Sequence, residues 1–574
     1  MAHEMIETLC GAVSATAMME HLEVFARRVK LSGTPEELES FRYLQSRLDT
    51  YGLKTHLILH DAYISLPGDA YIEVDGSRLQ CITQSFSRPS PAGGVHAPIV
   101  YAGAGLPKDF AALDARGKIV LLEHIANPGA ALRSSRAGAV GQIHISPHEH
   151  LHEMCISSVW GSPSDETMDR LPSTVVVSVR KVDGDALKRR IEAGETIEAT
   201  LHAEVDTGWR KTPLLTGDLI RKNAGPDEPF VMFSGHHDTW HLGVMDNGTA
   251  NATMLEIARL FAANRSHLRR SLRLCFWSGH SHGRYSGSTW YADNYWKELA
   301  TRCVAHVNID STGAFGNTVL TDALSSSELF GLASEAIKQQ GDQTLDRHRM
   351  SRAGDQSFWG IGVPSMFMGM GEQPLGTANV MGAVLGGINR KAAGFGWWWH
   401  TPDDTLDKID KDLLVRDARI YVHALWRLLT DRILPLDYAA HAAALAEEIG
   451  EIEKGLAGAL NLTELACSLA AMREAAGALR DQAASNISDA EADRINSAIV
   501  ATSRAMVPMD YTSGDRFEPD PALTQTPYPI LDPLRRLAAA ASDSGETRFF
   551  AVSAKRGLNR LVHALNQATT ALRR

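Results

Sequence analysis

At 574 residues the chain exceeds one hydrophobic core, and three or four folding units are expected. A composition 44% apolar and 22% charged is that of soluble globular protein, and a net charge of −11 without a long basic run argues against nucleic acid or an anionic membrane as partner. No uncharged stretch of about 18 residues suggests a membrane span, residues 1–7 lack the apolar run of a signal peptide, and Cys10, Cys81, Cys155, Cys275, Cys303 and Cys467 lack paired spacing, so a soluble chain with free thiols in the cytoplasm is expected.

Thr34-Pro35-Glu36-Glu37 predicts a capped helix start, with Phe41, Leu44 and Leu48 on one face and Gly52 as the stop. From about residue 93 the texture changes to short β runs, at 98–101, 117–122 and 174–177, separated by glycine turns. Strand and helix alternate again from about 215. Residues 231–233, 272–277 and 304–309 read as buried strands, with Met254, Leu255, Ala258 and Phe261 at helical spacing between the first two. That alternation predicts an α/β unit, a mostly parallel mixed sheet with helices on both faces. Past 434–437 the chain turns to Ala, Leu and Glu at helical spacing (438–506), then an irregular stretch (508–533), then two more helical patterns. Such a tail reads as an appended bundle and an oligomerisation surface.

Ligands bind such sheets at the C-terminal ends of the strands, and four polar clusters fall there. They are Gly235-His236-His237-Asp238-Thr239-Trp240; Asp246, ten residues after His236; Asp310, after Val307-Asn308-Ile309; and His400, in Trp399-His400-Thr401-Pro402-Asp403-Asp404. Two imidazoles and two carboxylates in one crevice suit Zn²⁺, Mn²⁺ or Fe²⁺.

In this order the clusters resemble the co-catalytic zinc aminopeptidase and glutamate carboxypeptidase family. The resemblance implies one ion on His236 and Asp310 and another on His400. Asp246 would bridge them, Asp238 would orient His236, and the peptide after Asp246 would be cis. Residues 352–358 and 362–364 match a further family segment beside the substrate pocket. About 88–208 look like a protease-associated domain inserted into the catalytic unit, and the tail looks like the dimerisation domain of the transferrin-receptor branch. The implied units are 1–87 and 209–432 (catalytic), 88–208 (insert) and 433–574 (dimerisation).

One place breaks the pattern. The family carries two adjacent glutamates, a general base and a metal ligand, where this chain reads Trp277-Ser278-Gly279-His280-Ser281-His282-Gly283. Without a gap, His280 takes the base position and Ser281 the ligand position; with a one-residue shift, Ser281 and His282 take them. Imidazole suits base work, since its pKa lies near 6.5. On an extended segment His280 and His282 would face the same way and both reach one metal.

Three readings follow: a hydrolase of an amide or peptide-like bond in a small substrate or short peptide with His280 as base, a mononuclear metalloenzyme with other chemistry, or a receptor-like protein. A divalent metal, one or two ions per chain, and a homodimer are expected. His144, His148, His150 and His152 read as a solvated loop rather than another metal site, and Trp397-Trp398-Trp399 as core with one ring lining the cleft.

Overall fold

The helix start at Thr34 forms as its sequence predicts. The Thr34 hydroxyl accepts from the Glu37 main-chain N–H at 3.4 Å, and the Glu37 carboxylate accepts from Gly33 N–H at 2.7 Å. These close the first turn of the helix Pro35–Thr50. Phe41, Leu44 and Leu48 are fully buried, and Gly52 ends the run in the left-handed region at φ 79°. The computed structural model describes residues 2–350, 352–376, 391–540 and 545–574.

In chain order the strands are β1 (Lys54–Val74), β2 (Ser77–Leu79), β3 (Cys81–Thr83), β4 (Val95–Tyr101), β5 (Ile119–Glu123), β6 (Gly141–Ile145) and β7 (Val175–Val179). Then come β8 (Glu198–Leu219), β9 (Phe230–His236), β10 (Ser271–Trp277), β11 (Cys303–Asn308), β12 (Leu324–Ser325), β13 (His348–Arg349) and β14 (Ser365–Met366). β1 and β8 pair antiparallel along nearly their whole length, with one register shift between Pro67 and Ala70. This ribbon joins two sheets. In the inserted one, β4, β5, β6 and β7 run parallel with β3 antiparallel at the edge, around Ile99, Leu121, Ile143, Val177 and Leu201. β8 passes through position 208 without a break and pairs with β4 at one end and β10 at the other, so the expected boundary at 208 falls inside a strand common to both sheets.

In the second sheet β10, β9, β11 and β14 run parallel, and β8 is antiparallel to β10. Successive residues enter different cores, as a sheet covered on both faces requires. Val231, Phe233, Leu272 and Leu274 share a core with the helices Pro35–Thr50, Ala250–Ala263 and Lys411–Thr430. Phe230, Met232, Cys275 and Trp277 join Tyr291 and Phe358 on the other face.

The tail forms the helices Tyr438–Leu456, Thr463–Ala483, Asp489–Tyr511, Asp532–Ala539 and Gly545–Leu572. Leu445, Leu465, Ile495 and Leu565 join the core of the sheet's helical face, so the bundle is packed on the catalytic unit. The irregular stretch expected from 508 starts later, after Tyr511. Proline at 508 deprives the Arg504 carbonyl of its helical donor, and the Arg516 guanidinium supplies one at 3.2 Å. Among the described residues all six cysteines are unpaired, and no helix is long and apolar enough to cross a membrane.

Candidate metal centre

Of the expected metal ligands, His236 and Asp310 stand at the C-terminal ends of β9 and β11, Asp246 lies in the segment Val244–Thr249 and His400 in the turn that follows Gly396. A Cβ on Gly235 would stand 2.7 Å from the Ile309 carbonyl oxygen, so glycine there lets the two strand ends close up. The imidazole of His236 donates Nδ1–H to the Asp238 carbonyl at 2.9 Å, which turns the Nε2 lone pair toward Asp246 Oδ1 at 3.1 Å and Asp310 Oδ2 at 3.5 Å. Asp246 Oδ2 lies 3.0 Å from His400 Nε2, so Asp246 stands between the two imidazoles. The Asp404 carboxylate accepts the main-chain N–H groups of Met245 (2.8 Å) and Asp246 (3.0 Å), which fixes the turn that presents Asp246. The Asp246–Asn247 peptide is cis, as the resemblance implies.

His400 is held from the inserted unit. Its Nδ1–H donates to the Glu153 carbonyl at 2.6 Å, while Glu153 N–H donates to the His400 carbonyl at 3.1 Å. The Trp399 ring stacks on it at 3.4 Å, and Trp240 Nε1–H approaches its Nε2 at 3.1 Å. The histidine-rich loop beside it is partly exposed, as expected, and its imidazoles are joined in a relay. His150 N–H donates to His148 Nδ1 (3.2 Å), His148 Nε2–H to His152 Nε2 (3.1 Å), and His152 Nδ1–H to the Trp399 carbonyl (2.5 Å). His144 is buried in β6 against Gln142. Trp398 and Trp399 are buried, and Trp397 stacks on His150.

This donor set fits a cation. His236 and His400 both donate Nδ1–H to carbonyls, so their Nε2 lone pairs meet carboxylate oxygens, acceptor against acceptor. His236 Nε2 and Asp246 Oδ1 are buried without a hydrogen-bond partner. The crowding shows in the protonation equilibria. Burial opposes an imidazolium at His236, yet the Asp310 and Asp246 carboxylates outweigh it and hold the group well above the ordinary histidine range. Burial would raise Asp246, but His236 and His400 hold it far below the usual carboxylate range. Two imidazoles and two carboxylates suit a divalent transition ion.

The segment after β10 is not extended, which corrects one expectation. Positive φ at Gly279 (72°), Arg284 (49°) and Tyr285 (70°) folds it into successive turns, and the two histidines diverge. His280 lies face to face with His236, ring centroids 3.7 Å apart and planes 14° apart. Its Nδ1–H donates to Asp355 Oδ2 at 2.9 Å, and Asp355 Oδ1 accepts from the Ser288 hydroxyl at 2.8 Å. One ligand atom each from His236, His280 and Asp310 lie within 4.8 Å of one another. His282 turns instead into a buried slot, with Nδ1 3.1 Å from the Ser32 hydroxyl and its ring 4.4 Å from that of Trp240. Burial there holds it neutral, with its pKa lowered to about 3. Expected as ligand or base, His282 is not brought into that His236–His280–Asp310 cluster.

Asp238 also departs from expectation. Its carboxylate stands 3.7 Å from His236 Nδ1, too far to bond, because it is occupied by Ser32 Oγ (2.7 Å), Ser281 N–H (2.9 Å) and His280 N–H (3.3 Å). The orientation of His236 comes from the Asp238 carbonyl instead, and the carboxylate anchors the turn at 280–281.

Sequence reasoning did not single out Asp355, Asp404 or Trp240 as site residues. Asp355 carried one signal, its place in the segment expected beside the substrate pocket.

Comparison with known proteins agrees with this geometry. Residues 216–425 match the model of peptidase family M28. The chain is 22% identical over 549 residues to the probable glutamate carboxypeptidase AMP1 of Arabidopsis thaliana, covering 80% of this chain and 74% of that one. It is 25% identical over 381 residues to the aminopeptidase YwaD of Bacillus subtilis (strain 168), covering 64% and 74%. The solved structure of BSAP, a zinc aminopeptidase from Bacillus subtilis, superposes with a TM-score of 0.56 at 20% identity, over 73% of this chain and 96% of that one, and so shares the fold. The M28 match spans β9, β10, β11 and all four expected ligands, so the segment that resembles this family is the one that carries the candidate metal centre, and the chain is a metallohydrolase similar to these aminopeptidases and glutamate carboxypeptidases.

Proposed function

We propose that this chain hydrolyses an amide or peptide-like C–N bond in a small substrate or short peptide, with His280 as the base where the family places a glutamate. The observation that carries this reading is the position of His280, stacked on one metal-ligand candidate and bonded through Nδ1–H to the buried carboxylate of Asp355. With the two imidazoles stacked face to face, their lone pairs run side by side rather than toward a common point. His236 keeps the ligand role, and His280 faces the reacting atoms.

His236, Asp246 and Asp310 would hold the ion, Zn²⁺ by preference, which supplies a Lewis acid for the scissile carbonyl and lowers the pKa of the attacking water. His280 takes a proton from that water at Nε2 and returns it to the leaving nitrogen. Asp355 keeps the other proton on Nδ1 and stabilises the imidazolium formed in between. The second position of a two-ion site is poorer here: Ser281 offers no carboxylate, and the Trp240 indole N–H points at His400 Nε2. A single tightly held ion at this centre is the reading we favour. The inserted unit would correspond to a protease-associated domain and the tail to a dimerisation domain, in a cytoplasmic homodimer.

The test is His280→Ala, assayed against a panel of dipeptides and aminoacyl p-nitroanilides with metal content measured in parallel. Retained metal with turnover about 10²–10⁴ lower is expected of a lost general base. Loss of the ion on the same change would favour a second reading, motivated by the His236–His280–Asp310 cluster, in which His280 ligates a mononuclear site with other chemistry. Metal uptake by the unaltered chain without turnover on any member of the panel would count against hydrolysis.

A further inference from the structure

We infer a further metal site where the helical tail meets the catalytic unit: Glu328, His441 and Asp510 form a buried three-ligand set for a divalent cation. Glu328 precedes the helix Phe330–Gly341 of the catalytic unit, His441 lies in the first turn of Tyr438–Leu456, and Asp510 lies in the last turn of Asp489–Tyr511. One nitrogen of His441 and one carboxylate oxygen from each acid lie within 4.8 Å of one another, and all three residues are at most 1% exposed.

The polar inventory of this cluster does not close without a cation. His441 Nε2–H donates to Asp510 Oδ2 at 2.6 Å. Both oxygens of Glu328, Oδ1 of Asp510 and Nδ1 of His441 are buried without a hydrogen-bond partner. Folded proteins rarely leave one such atom unsatisfied, and here four converge. The Ser326 hydroxyl lies near Glu328 without closing a hydrogen bond. A proton on Glu328 would supply one donor for one of the remaining acceptors and leave its carbonyl oxygen bare.

The neighbouring cation is engaged elsewhere. Arg349 donates to the Asp510 main-chain carbonyl at 2.6 Å, and its guanidinium lies over the rings of Tyr511 (4.2 Å) and Tyr528 (3.8 Å). Among the described residues it makes no ion pair with either carboxylate. A divalent ion would satisfy the orphaned atoms together and offset the two buried carboxylates. One imidazole with two carboxylates suits Zn²⁺ or Mn²⁺, with the free pair of oxygens on Glu328 available for bidentate binding.

The three residues come from one loop and two helices that are distant in sequence and meet only when the tail docks. The ion would therefore clip the bundle to the catalytic unit rather than take part in the reaction. This inference does not depend on the proposed hydrolysis. The experiment uses the full chain carrying His236→Ala and Asp246→Asn, which removes the catalytic centre from the count, titrated with Zn²⁺ alone. One equivalent bound is expected. Adding Glu328→Gln and His441→Asn should take it to none and lower the melting temperature. In crystals of the unaltered chain soaked in Zn²⁺, an anomalous peak should lie between Glu328, His441 and Asp510. A catalytic-ligand variant that takes up no Zn²⁺, or a soaked crystal with no peak at these residues, overturns the inference.

Discussion

The ring of His280 lies flat on that of His236, 3.7 Å away and 14° from parallel, while its far edge is tied to the carboxylate of Asp355 at 2.9 Å. His280 thus has a buried partner that selects its imidazole tautomer. An isolated imidazole in this place would be free to turn; this one is fixed on two sides.

Asp355→Asn tests that arrangement. The amide preserves shape but removes the charge that favours the imidazolium. Turnover should fall about 10–100-fold, the usual cost of losing an outer partner of a site residue. Metal content should stay near that of the unaltered chain. If turnover is unchanged, Asp355 is not holding His280 for chemistry.

His282 gives the complementary result. Because it is buried between Ser32 and Trp240, its replacement by alanine should lower the melting temperature while leaving metal stoichiometry unchanged. Loss of the ion from His282→Ala, with the ion retained in His280→Ala, would reverse the assignment of the two histidines.

Much of the catalytic unit was legible in the sequence because it rests on local signals. Buried runs mark β9, β10 and β11, and His236, Asp246, Asp310 and His400 each follow a strand or turn that the pattern exposes. The β1–β8 ribbon was not. Its burial changes with position along the strand, since it pairs with one sheet at one end and another at the other, and Pro67-Gly68 breaks the run. The partnership of His280 with Asp355 spans 75 positions and depends on how β10 meets the loop after β13, which no local spacing reports. The divergence of His280 from His282 was hidden for another reason. Arg284 and Tyr285 adopt left-handed φ without being glycine, so the turn carries no compositional mark.

Asp246 is the ligand whose loss should cost most metal, because it faces both His236 and His400. Asp246→Asn should weaken binding at the catalytic centre more than His400→Ala does, measured by competition with a chromogenic chelator at neutral pH. Equal loss in the two variants would place the ion between Asp246 and His400 instead.

Acid should unfold the chain early. Burial lowers His60 and His144 from 6.5 to about 4 and His306 to about 3, so the folded state keeps them neutral where the unfolded chain protonates them. Below pH 6.5 the unfolded state then binds more protons, and stability falls as pH falls, until the folded pKa values are reached. Each such group contributes at most about 1.4 kcal/mol per pH unit across that window. Calorimetry at pH 7.5, 6.5 and 5.5 should show a nearly constant melting temperature over the first step and a marked drop over the second. A flat profile to pH 5.5 would mean that these histidines are accessible to protons in the folded chain.

The tail should carry the two-fold interface. Its final helix, Gly545–Leu572, buries Leu558, Leu561 and Leu565 against the bundle, yet Phe549 is 77% exposed and Val552 53% exposed one turn further on. Two large apolar side chains adjacent on one helix face are what a partner surface needs at its centre. Light scattering at micromolar concentration should give about twice the monomer mass of 62.5 kDa. Phe549→Glu with Val552→Glu introduces four like charges across a two-fold contact, and should yield monomers of unchanged helicity. If the unaltered chain is itself monomeric and active, the tail is a packing element of the catalytic unit and not an assembly surface. If the charged variant remains dimeric, another face of the molecule makes the contact.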